Sequence, residues 1–211
     1  MARERKTLKS DMGWSNECSI TVQGLDLSRD MLGKLNPGDF AFLEIKGRQP
    51  TPNESIVFNA MRATLVEHGM TPMVIAARLT YLGAPESLQG AVAAGILGMG
   101  TTFAGTAEGS ARLFQLAEES GLSGLYVELM KLVALAAERA FNKPGQLPVN
   151  ATGAIGALSS ELQIPWKLCR GLAVIGRTIG IVGHLAEELR NPIAREVWER
   201  TEEESSEHNR T

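Results

Sequence analysis

Helix start and stop signals that begin at residue 50 constrain the fold of this chain most strongly. Thr51-Pro52-Asn53-Glu54 is typical of a capping box, in which the threonine and the glutamate each satisfy a free backbone N–H, with proline at the first helical position. Apolar residues then recur at helical spacing until Gly69, which follows His68. Thr71-Pro72 repeats the start signal for a second helix that ends at Gly83. The pattern predicts two consecutive helices with His68 in the turn between them.

Helical signals continue to the end of the chain, and strand signals are rare. Residues 86–99 carry glycine and alanine on neighbouring turns, which lets another helix approach closely and predicts a buried central helix. Partial alternation predicts a strand only in residues 19–27, and loops are predicted at Asn36-Pro37-Gly38 and Lys143-Pro144-Gly145. The predicted fold class is therefore mostly α with a minor N-terminal β element. Further helices are predicted at residues 111–120, 123–142, 151–162, 166–176 and 178–190, and a last one opens at Asn191-Pro192.

Composition excludes several classes of protein. The 211 residues, 44% hydrophobic and 21% charged, can bury a sizeable core. A net charge of −3 has the wrong sign for a nucleic-acid surface. Cys18 and Cys169 are too few for a disulfide framework or a four-cysteine zinc site, and they favour a reducing compartment. The most apolar stretch, residues 171–185, is interrupted by Arg177 and His184. We expect a cytoplasmic protein without nucleic acid, membrane or metal partners.

His68 has the most informative position among the three histidines of the chain. At a helix end before glycine, one ring nitrogen can bond to the backbone while the other points into a cleft as a donor or acceptor. The alternative is a helix-capping histidine without a chemical role, since polar caps are common there. His208 lies in a glutamate-rich tail that we interpret as a solvated helix end.

Arg177 lies in an otherwise apolar predicted helix. A buried guanidinium must be paired or must bind an anion, because an isolated buried charge is too costly. Two interpretations stay open, namely an ion pair with Glu187 or another carboxylate, and an anion site. His184 follows seven residues later on the same side of the helix, and Arg195 is by default an exposed arginine. Arginines that converge on one cleft would suit a di- or tricarboxylate.

Five segments follow one another in an order that is typical of a known family. They are residues 39–54, Glu67-His-Gly-Met-Thr-Pro72, Phe103-Ala-Gly-Thr-Ala107, Leu147-Pro-Val-Asn150 and residues 170–195. This set resembles the citrate synthase superfamily, and within it the short citryl-CoA lyase-like proteins and the C-terminal domain of ATP-citrate lyase. The resemblance covers residues 14–198, which predicts one helical domain there and an acidic tail over residues 199–211.

The resemblance implies a citrate synthase-like helical fold and Claisen-type chemistry on coenzyme A thioesters. In the family, a histidine at the position of His68 donates a hydrogen bond to the thioester oxygen, where charge develops. Arginines at the positions of Arg177 and Arg195 hold carboxylates of citrate or oxaloacetate, the second usually from the partner subunit. A homodimer with shared sites follows, as do a citrate-like carboxylate and a CoA thioester as ligands, with no permanently bound cofactor. His184 and Asn150 are further candidate binding residues.

One departure from the family concerns the reacting groups. Phe103 occupies the position of the second catalytic histidine of citrate synthases, and a phenyl ring cannot donate a proton. The cleavage enzymes of the family similarly have phenylalanine there, so the resemblance favours a lyase. Thr152, next to the candidate Asn150, stands where the family tends to have aspartate, which puts one polar contact near the site in doubt.

The second departure is an absence. Family members carry a Gly-His…Asp-Pro-Arg segment whose aspartate is the acid/base and whose surroundings hold coenzyme A, whereas here Gly109 is followed directly by Ser110. Either the segment is lost, or a mobile loop separates these two residues. We favour the second hypothesis, because lids at such sites are commonly mobile. A Cα separation well beyond about 3.8 Å would reveal the loop.

These observations predict a citryl-CoA lyase, a carbon–carbon lyase that cleaves citryl-CoA to acetyl-CoA and oxaloacetate by a retro-Claisen reaction. His68 would stabilise the enolate, and Arg177 and Arg195 would bind the carboxylates. The alternatives are a non-catalytic citrate- or acyl-CoA-binding paralogue that lost the aspartate, and a citrate synthase that works in the condensation direction.

Overall fold

The computed structural model describes residues 7–119 and 125–210. The chain divides into two compact units, Met1–Ala60 and Met61–Thr211. Helices dominate both, and strands occur in the first, so that the mostly α fold with a minor N-terminal β element is confirmed.

The first unit begins with a three-stranded antiparallel sheet, β1 (Gly13–Ser15), β2 (Ile20–Val22) and β3 (Leu25–Asp26), in that spatial order. Trp14 pairs with Thr21 between β1 and β2. The predicted strand region therefore holds two strands, because the residues between them turn the chain. β1 was not predicted, since its three residues are too few to show alternation.

The segment Asn36-Pro37-Gly38 opens a helix, so the predicted loop is wrong there. Helix α1 (Pro37–Lys46) follows a short π-helix over residues 27–31. The Asn36 Oδ1 atom accepts hydrogen bonds from the N–H groups of Gly38 and Asp39, each at 2.9 Å. Proline at the first helical position needs no N–H partner. The three residues that resembled a turn are thus a helix cap.

Helix α2 (Pro52–Val66) starts with the predicted capping box. The Thr51 N–H donates to Glu54 Oε2 at 2.8 Å, and the Glu54 N–H donates to Thr51 Oγ1 at 3.3 Å. Arg48 also donates two hydrogen bonds to the Glu54 carboxylate. These hydrogen bonds lower the pKa of Glu54 to about 2, and the hydrogen bonding with Arg48 has the largest effect.

The second unit contains the end of α2 and the remaining helices. α5 packs against α7 and α8, and α3 packs against α4, α8 and α9. The predicted loop at Lys143-Pro144-Gly145 lies between α6 and α7 as expected. The described helices are α3 (Pro72–Gly83), α4 (Leu88–Leu97), α5 (Thr101–Glu119), α6 (Tyr126–Ala140), α7 (Ala151–Glu161), α8 (Trp166–Glu188) and α9 (Ala194–Ser206).

Helix α8 is one helix where two were predicted. Its 23 residues run without a break through Gly176 and Arg177, because glycine weakens a helix without ending it. In the described part of the chain, α8 is long and apolar enough to cross a membrane, and the α4–α5 pair passes the same test only as one span bent by 61°. Buried core helices of other proteins pass that test too, and 44% of the apolar window of α8 is buried.

Helix α4 approaches its neighbours closely, as its small residues predict. A Cβ atom on Gly95 would lie 2.8 Å from Ile181 Cδ1 and 2.9 Å from the Met73 carbonyl oxygen. The helix is not buried on all sides, however, since Leu97 is 85% exposed. The prediction of a buried central helix is therefore wrong, although the predicted close contact is present.

Helix α5 is unbroken across Gly109 and Ser110, so the favoured hypothesis of a separating loop is wrong. The backbone at this point packs against α7. A Cβ atom on Gly156 would lie 2.3 Å from Ser110 Oγ and 2.7 Å from the Ala111 nitrogen. The missing side chain of Gly156 lets the two helices touch at this point.

Candidate active site

A cavity of about 280 Å³ lies in the second unit, between the turn after α2 and the starts of α3, α5 and α7. Four of the six predicted site residues line it together. They are His68, Phe103, Asn150 and Arg177. The other lining residues are Thr64, Leu65, Thr71, Met73, Ala151, Thr152 and Ile155. Packing of α7 and α8 against α5 brings together residues that are far apart in the sequence.

Arg177 supplies the formal positive charge of this cavity. It is only 8% exposed, and its Nε and Nη1 atoms have no hydrogen-bond partner among the described residues. The residues that line the cavity include no carboxylate. The ion pair with Glu187 that remained open from the sequence is wrong, since Glu187 binds Arg78. Because an unpaired buried guanidinium is costly, the cavity is suited to an anionic ligand.

Two helix N-termini add positive partial charge to the cavity. Thr71 occupies the capping position of α3 but makes no capping bond, and its buried hydroxyl has no partner among the described residues. At the start of α7, Asn150 Oδ1 accepts hydrogen bonds from the Gly153 N–H at 2.8 Å and from the Thr152 hydroxyl at 3.0 Å. Thr71 therefore has an unpartnered hydroxyl at the start of α3 among the described residues, whereas Asn150 shapes the wall of the cavity.

His68 lies in the turn after α2, as predicted. Glu67 Oε1 accepts hydrogen bonds from the N–H groups of His68, at 2.9 Å, and of Gly69, at 2.5 Å. Gly69 has a positive φ of 74°, which glycine adopts without strain. The His68 side chain is exposed to the cavity and forms no hydrogen bond with the described residues, so its ring is available to a ligand.

Glu67 stays ionised at neutral pH. Burial raises the pKa of its carboxyl group, but hydrogen bonds from His184 and from the Gly69 and His68 N–H groups outweigh burial and hold the pKa below its ordinary value. The turn that carries His68 is therefore anchored by a charged acceptor.

The two remaining predicted residues lie outside the cavity lining. The His184 ring is held by Arg78 and Glu67, with Nδ1 at 3.0 Å from Arg78 Nη2 and Nε2 at 3.1 Å from Glu67 Oε1. Arg195 lies on α9, where its side chain is 65% exposed and 3.6 Å from Glu199. His184 thus belongs to a hydrogen-bonded network next to the site, and Arg195 belongs to the surface.

Sequence reasoning missed Arg78, the most deeply buried charged residue that the structure describes. It is 1% exposed, its Nη1 atom lies 2.5 Å from Glu188 Oε2, and its Nη2 atom binds Glu187. A signal was present, because Arg78 is the charged residue in the otherwise uncharged segment Pro72–Gly83. Thr71 was also missed, because a threonine before proline is normally a cap.

A larger cavity of about 530 Å³ lies between α5, α6 and α7. Its polar side chains form hydrogen bonds with one another or with the backbone. Gln115 donates to the Ile164 carbonyl at 2.9 Å and accepts from the Trp166 N–H at 3.0 Å, and the Tyr126 hydroxyl donates to Glu118. The 280 Å³ cavity differs in having polar groups without partners, and it is therefore the better candidate for a ligand site.

The fold and the site define a class of protein, a helical scaffold whose cavity is lined by a buried arginine and an exposed histidine. No protein-family model matches the sequence, and no curated protein matches it. Solved structures do match. Citryl-CoA lyase from Hydrogenobacter thermophilus is 26% identical and superposes with a TM-score of 0.80 over 88% of both chains.

Two ATP citrate lyases show the same fold. The enzyme from Methanothrix soehngenii, in complex with citrate and coenzyme A, is 20% identical with a TM-score of 0.66. The D541A mutant from Methanosaeta concilii, in complex with (3S)-citryl-CoA, is 19% identical with a TM-score of 0.65. The match covers 89% of this chain and 40% of each of those chains. The chain thus has the citryl-CoA lyase-like form of the citrate synthase fold, which confirms the resemblance.

Proposed function

We propose that this chain cleaves citryl-CoA to acetyl-CoA and oxaloacetate. One observation carries the proposal: the buried guanidinium of Arg177, whose Nε and Nη1 atoms lack a partner among the described residues, lines the same cavity as the ring of His68. The likeness to a citryl-CoA lyase supports this class of reaction, and the ATP citrate lyase complexes support the class of ligand.

In the proposed reaction, Arg177 binds a carboxylate of the substrate with its planar fork of N–H donors. The bond between the hydroxyl-bearing carbon and the methylene carbon of the thioester arm breaks, and its electron pair passes to the thioester as an enolate. His68 donates a hydrogen bond to the enolate oxygen, where the negative charge accumulates. Loss of the hydroxyl proton yields the ketone of oxaloacetate, and one proton added to the methylene carbon yields acetyl-CoA.

Phe103 lines the cavity, and the cleavage enzymes that the chain resembles also have phenylalanine at this position. Condensation of acetyl-CoA with oxaloacetate, the reaction of a citrate synthase, is therefore the weaker alternative. Cleavage needs a proton acceptor and a proton donor, and the lining residues provide no carboxylate for either step. We assign both transfers to water, since the His68 ring is engaged at the thioester oxygen.

A second candidate function is binding without turnover. The observation that favours it is the unbroken helix α5, which leaves no segment between Gly109 and Ser110 to carry the aspartate of the family. Such a paralogue would bind citrate or an acyl-CoA through Arg177 and would release nothing.

The proposed assembly is a homodimer in which Arg195 completes the site of the partner subunit. It is supported by the exposure of Arg195 and by its position outside the cavity lining of its own chain. Coenzyme A would enter only as part of the substrate and product, without a permanently bound cofactor, and the cytoplasm would supply the substrate.

The test is a coupled assay in which oxaloacetate released from citryl-CoA is reduced by malate dehydrogenase, with NADH consumption as the readout. Wild-type protein and the control Arg139→Met, an exposed arginine on α6, should both turn over, and Arg177→Met should not. Citrate binding without turnover, lost in Arg177→Met, would favour the paralogue. Neither turnover nor binding would refute both proposals.

A further inference from the structure

We propose that Glu67 and His184 are positioning residues that hold His68 at the cavity through a hydrogen-bonded chain rooted in the buried Arg78. This inference rests on the proposed function of His68 at the thioester oxygen. It is carried by a continuous set of contacts that join α3, α8 and the turn after α2.

The first step is the tautomer of His184. A guanidinium has donors only, so Nδ1 of His184 must accept the hydrogen bond from Arg78 Nη2. The ring proton is then on Nε2, which points at Glu67 Oε1. A second proton on Nδ1 would face the Arg78 donor, so the neutral ring fits this place. In this arrangement His184 accepts a hydrogen bond from Arg78 and donates one to Glu67.

The charged groups around His184 come from three elements. Arg78 approaches from α3, Glu67 from the turn after α2, and Glu187 from α8 itself, with Oε2 at 3.8 Å from Nδ1. Arg78 is itself fixed by Glu187 and by the buried Glu188. The imidazole is therefore held on one side by the buried Arg78 and on the other by the half-exposed Glu67.

The second step leads from Glu67 to His68. The Glu67 Oε1 atom accepts hydrogen bonds from the Nε2–H group of His184 and from the backbone N–H groups of His68 and Gly69. One carboxylate oxygen thus has three donors. Two of them belong to the turn that carries the catalytic candidate. Rotation of Glu67 away from His184 would release that turn, because no other side-chain acceptor of these two N–H groups is present in the described residues.

The third step is the contact that makes the chain possible. Gly176 and Gly180 on α8 face the end of α2, where a Cβ on Gly180 would lie 2.0 Å from the Val66 carbonyl oxygen and 3.3 Å from Glu67 Oε2. A Cβ on Gly176 would lie 2.9 Å from Leu65 Cβ. The glycines bring α8 close enough for His184 to reach Glu67. Arg177, between them, lines the cavity from the same helix.

The same buried network reaches the start of α9. Glu188 Oε2 binds Arg78, while Glu188 Oε1 accepts from the N–H groups of Ile193, at 3.0 Å, and of Ala194, at 2.8 Å. Ala194 directly precedes Arg195, the residue proposed to enter the partner's site. One network thus supports both the turn of His68 and the segment of Arg195.

The test uses imidazole ¹⁵N NMR, because the chain has only three histidines and single substitutions can assign them. The wild-type protein should show a neutral Nε2–H ring for His184. Glu67→Ala should shift the His68 resonances and lower kcat for citryl-CoA cleavage about 10- to 100-fold with a smaller change in KM, because a displaced donor fails mainly in the transition state. Glu67→Gln should keep the His68 resonances and kcat near their wild-type values, since an amide oxygen can accept the same hydrogen bonds.

His184 provides an independent pair of variants. Glutamine at this position carries one acceptor and one donor, as the Nε2–H ring does, and leucine carries neither. His184→Gln should preserve the His68 resonances and most of kcat, whereas His184→Leu should disturb both. Glu86→Ala, at an exposed glutamate before α4, is the control that should change neither.

The outcomes separate this inference from the proposed function. Unchanged His68 resonances in both Glu67→Ala and His184→Leu, or an Nδ1–H ring at His184, would overturn the positioning chain whether or not the protein turns over citryl-CoA. If no variant turns over but the resonances shift as described, the proposed reaction fails and the positioning chain stands. If circular dichroism shows that the Glu67→Ala variant is unfolded, the comparison of His184→Gln with His184→Leu tests the positioning chain instead.

Discussion

Arg78 and Arg177 lie on packed helices of the same unit, and both are buried, yet their surroundings are opposite in chemistry. Arg78 on α3 is 1% exposed and meets two carboxylates of α8, Glu187 and Glu188. Arg177 on α8 is 8% exposed and meets no carboxylate among the described residues. A guanidinium that has lost its water must recover the interaction elsewhere, from the protein or from a ligand. Arg78 recovers it within the fold, and Arg177 is left for an anion.

This difference predicts that Arg78 stabilises the fold around the cavity and that Arg177 binds the ligand. The pairing of Arg78 is available before any ligand arrives, so its removal should affect folding first. The free donors of Arg177 are a cost to the empty protein, so their removal should affect binding first. Each of the following experiments tests that division, from the largest expected effect to the smallest.

Arg78→Met should lower the free energy of unfolding by about 3–5 kcal/mol, because it leaves the buried Glu188 carboxylate without its partner. Urea denaturation measures the change. Adding Glu188→Gln to this variant should recover part of the loss, since the amide has no charge to leave unpaired and keeps an acceptor for the start of α9. A loss below about 1 kcal/mol in Arg78→Met would show that the buried pair contributes no more than a surface ion pair.

Arg177→Met should leave the free energy of unfolding unchanged or higher, and should weaken citrate binding about 10- to 100-fold. A hydrogen bond to a charged group contributes about 1.5–3 kcal/mol, and about 1.4 kcal/mol is tenfold in affinity. Isothermal titration calorimetry with citrate provides the measurement, and Arg139→Met is the matched exposed arginine. A stability loss comparable with that of Arg78→Met would erase the distinction between the two arginines.

Gly180→Ala should destabilise the protein by about 1–3 kcal/mol, because the new methyl group would overlap the Val66 carbonyl oxygen at 2.0 Å and push the end of α2 away. Gly183→Ala on the same helix has nothing within 4 Å and should be neutral or stabilising by up to about 1 kcal/mol. Thermal unfolding of the two variants compares them directly. Equal changes in stability for the two variants would contradict the close contact between Gly180 on α8 and Val66 at the end of α2.

Acid should weaken the Arg78 region through Glu188. Burial raises the pKa of the Glu188 carboxyl group, but hydrogen bonds from the Ala194 N–H and from Arg78 outweigh it, so the pKa lies below its ordinary value of 4.5. A group whose pKa is lowered by folding stabilises the protein above its ordinary pKa, and this stabilisation is lost as the pH falls through the folded value.

The free energy of unfolding of the wild type should therefore fall as the pH drops below about 4.5. Glu188→Gln should show a shallower dependence, and Arg177→Met should keep that of the wild type. Urea titrations between neutral pH and about pH 3 give the slopes. A Glu188→Gln slope identical to that of the wild type would remove Glu188 from the acid response.

Local signals predicted the elements whose ends are defined by nearby residues. The capping box at Thr51-Pro52-Asn53-Glu54 appears in the structure with both of its bonds. The same rules misread Asn36-Pro37-Gly38, because an asparagine that caps a helix and one that opens a turn use the same side-chain oxygen. The continuity of α5 through Gly109 was also missed, since the favoured hypothesis placed a loop between Gly109 and Ser110.

Much of the candidate site could be located from the sequence. Which residues line the cavity and which only contact the lining residues could not. His68, Phe103, Asn150 and Arg177 were found from position and resemblance, and they line one cavity. The role of His184 could not be read, because helical spacing gives the side of α8 on which it lies and says nothing of which neighbour reaches it.

The sequence by itself determined a mostly helical chain, a histidine in a helix-ending turn and an arginine in an apolar helix, because these depend on residues within one or two turns of each other. Only the tertiary structure decided which arginine is paired. Glu187 and Glu188 follow Arg78 by 109 and 110 residues, so no local pattern joins them, and their pairing depends on how α3 and α8 pack. A buried charge is satisfied by what surrounds it in space, so its role is settled when the helices come together.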